Sequence, residues 1–228
     1  QGVPVTKQTR FQNGSIGKSM TVAGASTLVE AGKLDWDADA RKYVPFFPQK
    51  QWPFTVRQLA NHTSGIRHYK PLGEGEEFFI LEEYNSIRDG LKIFQDDPLV
   101  HQPGSRYLYS SYAVNLLGVV LEEASGKDYI PYMLGNVFEP LGMIDTEAAR
   151  WYDIMPRRAR LYEIPTMGAE NSYKVGFAGG GTHVGDDRLI NAPFADVSYK
   201  VAAGGWLTTC DDLVRFASAH LEPGFLTA

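Results

Sequence analysis

The strongest constraint on what this chain can fold into is where helix-period patterning falls and where it stops. Residues 15–31 place Met20, Ala23 and Leu28, among others, at mixed three- and four-residue spacings, with Gly32 where a C-terminal glycine cap belongs. Residues 112–124 predict a second strong helix, with Leu116, Leu117, Val120 and Leu121 on one apolar face ahead of Gly126. Shorter helices are expected over Val56–Asn61 with Thr55 as N-cap, and over Asp128–Val137 ahead of Pro140-Leu141-Gly142. A last one is expected from Asp211 to His220, capped by Thr209 or Cys210. Residues 80–94 carry helical potential inside an acidic, irregular stretch, and Tyr107-Leu108-Tyr109 reads as a short strand. Residues 151–200 depart from all this, with short β-branched and aromatic stretches and a glycine loop, Gly179-Gly180-Gly181. Neither a repeat nor an interdomain linker interrupts the chain, so 1–228 is expected to be one mixed α and β domain, helix-heavy in its first two thirds.

Composition excludes whole classes. A chain of 228 residues with 43% hydrophobic content can bury a substantial core. Its 22 basic against 27 acidic residues give a net charge of -5, which argues against a nucleic-acid or anionic-membrane partner. No apolar run approaches the ~20 residues of a spanning helix. The single Cys210 excludes an internal disulfide framework and a multi-cysteine zinc site. His62, His68 and His101 show no His-x-x-x-His spacing, and neither a metal nor a cofactor is expected. Because the chain opens on Gln1 and its first ten residues lack an apolar signal core, a mature form or a fragment is expected.

Two short runs carry chemistry. Ser15-Ile16-Gly17-Lys18 starts the first helix, where positions three apart share a face, so the Lys18 amine can approach the Ser15 hydroxyl. A serine hydroxyl becomes a nucleophile once a base removes its proton, and a lysine serves if burial or a cation lowers its pKa. Backbone N–H groups at the helix start suit a developing oxyanion. The same spacing fits an N-cap serine beside a solvated lysine. Tyr109-Ser110-Ser111 places a tyrosine that a nearby ammonium can acidify, with Ser111 as a hydrogen-bonding neighbour; a buried tyrosine beside a helix N-cap fits equally. His62 reads as a turn residue, Glu122-Glu123 as a solvated helix face, Asp211-Asp212 as a solvated face or a match to the helix N-terminal dipole, and Cys210 as a small residue at a helix start. Trp52, Phe54, Tyr69 and Phe78 line either a pocket or a core.

Five motifs in order add a family resemblance. Asn13-Gly14-Ser15-Ile16-Gly17-Lys18-Ser19-Met20-Thr21, continued by Leu28 to Asp35, resembles the first motif of the serine β-lactamase and penicillin-binding family. Leu59-Ala60-Asn61-His62-Thr63-Ser64-Gly65-Ile66 resembles its "LLNHTSGI" turn, and Tyr107 to Tyr112 with Asn115-Leu116-Leu117-Gly118 resembles its second motif and helix. Phe138 to Met143 is similar to its "PLGM" element, and Ala203-Gly204-Gly205-Trp206-Leu207-Thr208-Thr209 with Asp212 to Phe216 to its "AGGL-ST-DLxRF" segment. Asn191 to Lys200 is similar to a mitochondrial β-lactamase-like branch.

The resemblance implies the α+β transpeptidase-like fold, a helical region beside an antiparallel sheet. It implies two-step acyl transfer on amide or ester carbonyls, with Ser15 as nucleophile, Lys18 and Tyr109 sharing the proton work, and Ser111, Gly204 and Gly205 binding substrate. The backbone N–H of Ser15 would be one oxyanion donor. Ser111 stands where many relatives carry Asn. The family's third motif, Lys-Thr-Gly or His-Thr-Gly, is expected after Thr209 and does not occur there; Lys174-Val175-Gly176 and His183-Val184-Gly185 imitate it out of order and are read as loops. By the same resemblance, the first two strands before Ser15 are expected to be absent. A sheet short of strands is therefore expected, completed by a homo-oligomer or a companion chain. Against the hydrolase stand a catalytically silent, filament-forming scaffold and a penicillin-binding protein with slow deacylation. A periplasmic or secreted compartment is expected, with a mitochondrial one as the alternative.

Overall fold

The computed structural model describes residues 3–70, 77, 80, 82–150, 153–163, 190–191, 196–221 and 224–227. Helix α1 (Ile16–Glu30) ends in a Schellman motif: the Gly32 N–H bonds the Val29 carbonyl and the Lys33 N–H the Leu28 carbonyl, both at 2.9 Å, with Gly32 at φ 68°. Its buried positions include the small residues Gly17, Ala23, Gly24 and Ala25, and a Cβ on Gly24 would stand 2.6 Å from the Met133 sulfur. Helix α3 (Ser111–Ser125) is the centre of the fold, buried at every position from Ser111 to Leu121 rather than along one apolar stripe. A helix buried all round must be surrounded, and α3 packs on α1, α2 (Val56–Ala60), α4 (Tyr129–Met133) and α5 (Val201–Gly204). Helix–helix contact is close because Gly118 leaves room for Ala202: a Cβ there would stand 2.6 Å from the Ala202 Cβ.

Beyond α5, strand β5 (Trp206–Thr208) is buried along its length and forms the middle of a three-stranded antiparallel sheet. Strand β1 (Phe11–Gln12) pairs with it in the register Phe11 to Thr208, and β2 (Glu147–Ala148) in the register Glu147 to Leu207. The sheet packs on the helices through Trp206, which meets Phe138 edge-on at 4.8 Å. Strands β3 (Tyr162–Glu163) and β4 (Ile190–Asn191) form a separate antiparallel pair. The architecture is thus α+β: helices around α3 and a small antiparallel sheet. Residues 174–176, 179–181 and 183–185, with Phe78, lie outside the described residues.

Several local expectations need correction. Among the described residues of 80–94 the helical part is the 3₁₀ segment Asp89–Ile93, where Gly90 lies so close to the Tyr199 backbone that a side chain would not fit. Tyr107–Tyr109 is extended but unpaired as a strand; its backbone is held instead by the Leu108 N–H on the His62 carbonyl at 2.8 Å. The helix expected over 128–137 passes at Leu134 into a π-helical turn, Leu134–Phe138. Helix α6 (Cys210–Ser218) is capped by Thr209, whose hydroxyl accepts the Asp212 N–H. Asp212 is not solvated: it is fully buried and accepts from the Asp145 N–H at 3.0 Å and the Thr146 hydroxyl at 2.8 Å. Glu122 likewise turns inward to accept the Tyr129 N–H, and burial pushes its carboxyl up to about 7. Phe54 belongs to the core, whereas Trp52 is exposed.

Candidate active site

The site begins at the turn into α1. Gly14 takes φ 52° and Gly204 takes φ 146°, and the two backbones touch so closely that a Cβ on Gly204 would land on the Gly14 carbonyl. A Cβ on Gly17 would stand 2.9 Å from the Gly204 Cα. This glycine contact presses the first turn of α1 onto the end of α5. Consequently Lys18, only 7% exposed, reaches across to donate to the Ala203 carbonyl at 2.6 Å and to the Ser15 hydroxyl at 3.2 Å. Ser15 occupies the N-cap position without making a side-chain cap, which leaves its hydroxyl for another partner. That partner is the Tyr109 hydroxyl, 2.6 Å away.

Tyr109 comes from the segment that enters α3. Ser110 fixes the entry, accepting the Ala113 N–H at 3.0 Å and donating to the Arg67 carbonyl at 2.7 Å. The loop 62–69 wraps the other side of the tyrosine: the His62 ring lies 4.7 Å from the Tyr109 ring and the His68 ring meets it edge-on at 5.3 Å. Beneath the loop, Arg67 bridges Glu77 at 2.8 Å and Asp97 at 2.6 Å. His62 itself adopts φ 62°, an uncommon conformation for a side-chain-bearing residue.

The electrostatics follow from this crowding. Burial lowers the Lys18 pKa, only partly opposed by its contact with Tyr109. Burial raises Tyr109, but hydrogen bonds with Lys18 and Ser15 and the lysine's charge outweigh it, so the phenol lies below its ordinary value. Ser111 is buried beside Tyr109 and Tyr69 and helps lower both phenols, while burial pushes Tyr69 up to about 12. A second lysine, Lys200, is held down to about 7 by burial, with the Lys18 charge adding and Asp196 opposing. Its ammonium lies 4.9 Å from the Tyr69 ring centre.

Ser15, Lys18, Tyr109 and Ser111 are therefore brought together. The alternative of an N-cap serine beside a solvated lysine does not describe them. Gly204 packs behind the turn into α1, whereas Gly205 packs against Val197 and Val201 and accepts the Ala149 N–H at 2.8 Å. The sequence pattern did not single out His68 or Lys200 as site residues, because His68 reaches Tyr109 and Lys200 reaches Tyr69 only through a loop and a turn far away in the chain. Chemically, the cluster offers a hydroxyl, a phenol of lowered pKa and an amine of lowered pKa in one hydrogen-bonded line, enough to move a proton from Ser15. Among the described residues no group of three or more His, Cys, Asp and Glu gathers to hold a metal. No helix among them is long and apolar enough to cross a membrane.

Comparison with known proteins places this geometry in a family. A mitochondrial serine β-lactamase-like protein from Homo sapiens is 30% identical over 284 aligned positions, covering 96% of this chain and 48% of the relative. A β-lactamase from Escherichia coli strain K12 is 26% identical, covering 96% of this chain and 50% of the relative. The chain thus spans about half the length of these curated relatives. A D-amino acid amidase from Ochrobactrum anthropi SV3 superposes with a TM-score of 0.82 at 26% identity, over 99% of this chain and 61% of that one. An octameric penicillin-binding protein homologue from Pyrococcus abyssi gives 0.74 at 26% identity, over 99% of this chain and 48% of that one. The family model described as Beta-lactamase matches residues 1–228, and the chain belongs to that family.

Proposed function

We propose that residues 1–228 are the catalytic domain of a serine hydrolase that cleaves amide or ester bonds through an acyl-enzyme on Ser15. The observation that carries this reading is the Ser15 hydroxyl held 2.6 Å from the Tyr109 hydroxyl and 3.2 Å from the Lys18 amine. In the first step the Ser15 proton passes to the Tyr109 phenolate or the Lys18 amine as Oγ attacks the carbonyl carbon. The C–O bond to Ser15 forms, and the carbonyl electrons move onto oxygen, stabilised by the Ser15 backbone N–H at the start of α1. Collapse of that intermediate expels the amine or alcohol, which takes the proton back from the same base. In the second step a water gives its proton to the base and attacks the acyl carbon, releasing the acid and restoring Ser15. Ser111 supports the tyrosine and binds substrate, with Gly204 and Gly205 shaping the floor.

The natural substrate is a small molecule or peptide with an acyl group; the family includes an amidase and penicillin-binding proteins, which supports both classes. A second reading, an assembling scaffold, draws support from the octameric homologue. For the compartment, the mitochondrial naming of relatives at 29–30% identity favours a mitochondrial setting, while penicillin-binding relatives fit a periplasmic or secreted one. Hydrolysis of a chromogenic ester and of a penicillin by wild type and Ser15→Ala tests the proposal. Turnover that disappears in Ser15→Ala supports it; turnover that survives, or a protein silent toward every acyl probe, sinks it.

A further inference from the structure

Two imidazoles lie under the turn that carries Tyr109. The Ser110 N–H donates to His62 Nδ1 and the Ser111 N–H donates to His68 Nδ1, both at 3.2 Å. These are successive backbone amides at the entry to α3, where helical N–H groups have no partner within the helix. Both rings also flank the Tyr109 ring, at 4.7 and 5.3 Å. The two histidines are 48 and 43 residues away from the amides they receive, on one loop that is itself tied to α3 by the Ser110 hydroxyl on the Arg67 carbonyl. We propose that His62 and His68 act as a pair of positioning residues, receiving the Ser110 and Ser111 amides and thereby aiming the Tyr109 hydroxyl at Ser15. The inference rests on the acyl-transfer reading for its consequence, though the pairing itself does not.

An imidazole that accepts at Nδ1 keeps its proton at Nε2. Protonating either ring removes the acceptor and adds a positive charge at a helix N-terminus, where the dipole already opposes it. The surroundings agree. Burial, then the charges of Lys18 on α1, Lys200 before α5, His62 and Arg67, holds His68 down to about 4. Burial and the Lys18 charge lower His62 as well. The rings of Tyr69 and Tyr107 complete the enclosure. Because both histidines sit below their ordinary 6.5, the native state binds fewer protons than the unfolded chain just below that pH. Stability therefore falls as pH drops through that window.

The test uses the full chain, a fluorophosphonate that labels nucleophilic serines, and imidazole ¹⁵N spectra. His68→Leu removes one acceptor; His62→Gly removes the other while accepting φ 62°. Each is expected to slow Ser15 labelling about tenfold or more, as an orphaned buried amide would. His62→Asn and His68→Asn place an oxygen where Nδ1 stood, and are expected to recover most of the rate. In wild type, both rings are expected to show unprotonated Nδ1 at pH 7, with His68 titrating near 4. Folded Leu and Gly variants labelled at the wild-type rate would overturn the proposal, as would Asn variants no faster than them. Rings protonated at Nδ1 would overturn it on spectra alone. If wild type takes no label at any pH, the acyl-transfer reading fails separately, and the spectra still decide whether the pairing exists.

Discussion

Replacing Lys18 with methionine separates what the buried amine does for stability from what it does for Ser15. The ammonium is nearly out of water, donating to Ser15 and to the Ala203 carbonyl, and burial lowers its pKa from 10.5. Between that lowered value and 10.5 the native state holds fewer protons than the unfolded one, so wild-type stability rises with pH across this window. Lys18→Met fills the same volume without a charge. At pH 7 it is expected to melt no lower than wild type, a gain on the order of 1 kcal/mol, because desolvating a charge is costly. That advantage should shrink as pH rises toward 10.5, while serine labelling is lost throughout. Thermal melts of both proteins from pH 6 to 10 check the first half; a variant that is strongly destabilised at pH 7 contradicts the burial argument. The Ser15 to Lys18 approach was legible from three-residue helical spacing. The roles of His62 and His68 were not, since an acceptor for a backbone amide leaves no mark in local sequence.

At the scale of elements, close helix packing delivers the site. Helix α5 carries the Ala203 carbonyl that holds Lys18, and Gly118 on α3 lets Ala202 of α5 come close. Gly118→Ala puts a methyl 2.6 Å from the Ala202 Cβ, with Ile87 at 3.0 Å on the other side. It is expected to lower stability by about 1–3 kcal/mol, as overpacked cores do, and to slow Ser15 labelling by shifting α5. Chemical denaturation with parallel labelling tests this; unchanged stability would mean the helices separate without strain. Helix cores and caps were readable in advance: α2 begins at Thr55, whose hydroxyl and Gln58 form a capping box, and α1 ends at Gly32. The segment 80–94 was less so: its helical pattern shortens to the 3₁₀ segment Asp89–Ile93 among the described residues. Glu122 misled as well: a carboxylate on an outward-looking sequence pattern was claimed by the start of α4.

Across the whole molecule, long-range polar ties join sheet to helices where apolar patterning says nothing. Asp212 on α6 accepts from Asp145 and Thr146, just ahead of β2, and pairs with Arg215 at 3.1 Å. Asp212→Ala strands those buried donors and is expected to destabilise the fold by about 2–4 kcal/mol. A loss under 0.5 kcal/mol would show that water satisfies them. The five ordered motifs made the family readable from sequence, and with it the α+β fold. The short sheet was readable only in outline, since two-residue strands have no period to detect. What the family alone does not supply is activity in this chain, and the arrangement around Ser15 is the claim on which the rest depends. Intact-protein mass spectrometry after fluorophosphonate treatment tests it most directly. One adduct per chain, mapped to Ser15 and absent from Ser15→Ala, is the predicted result; an unmodified protein, or an adduct that persists in Ser15→Ala, would contradict it.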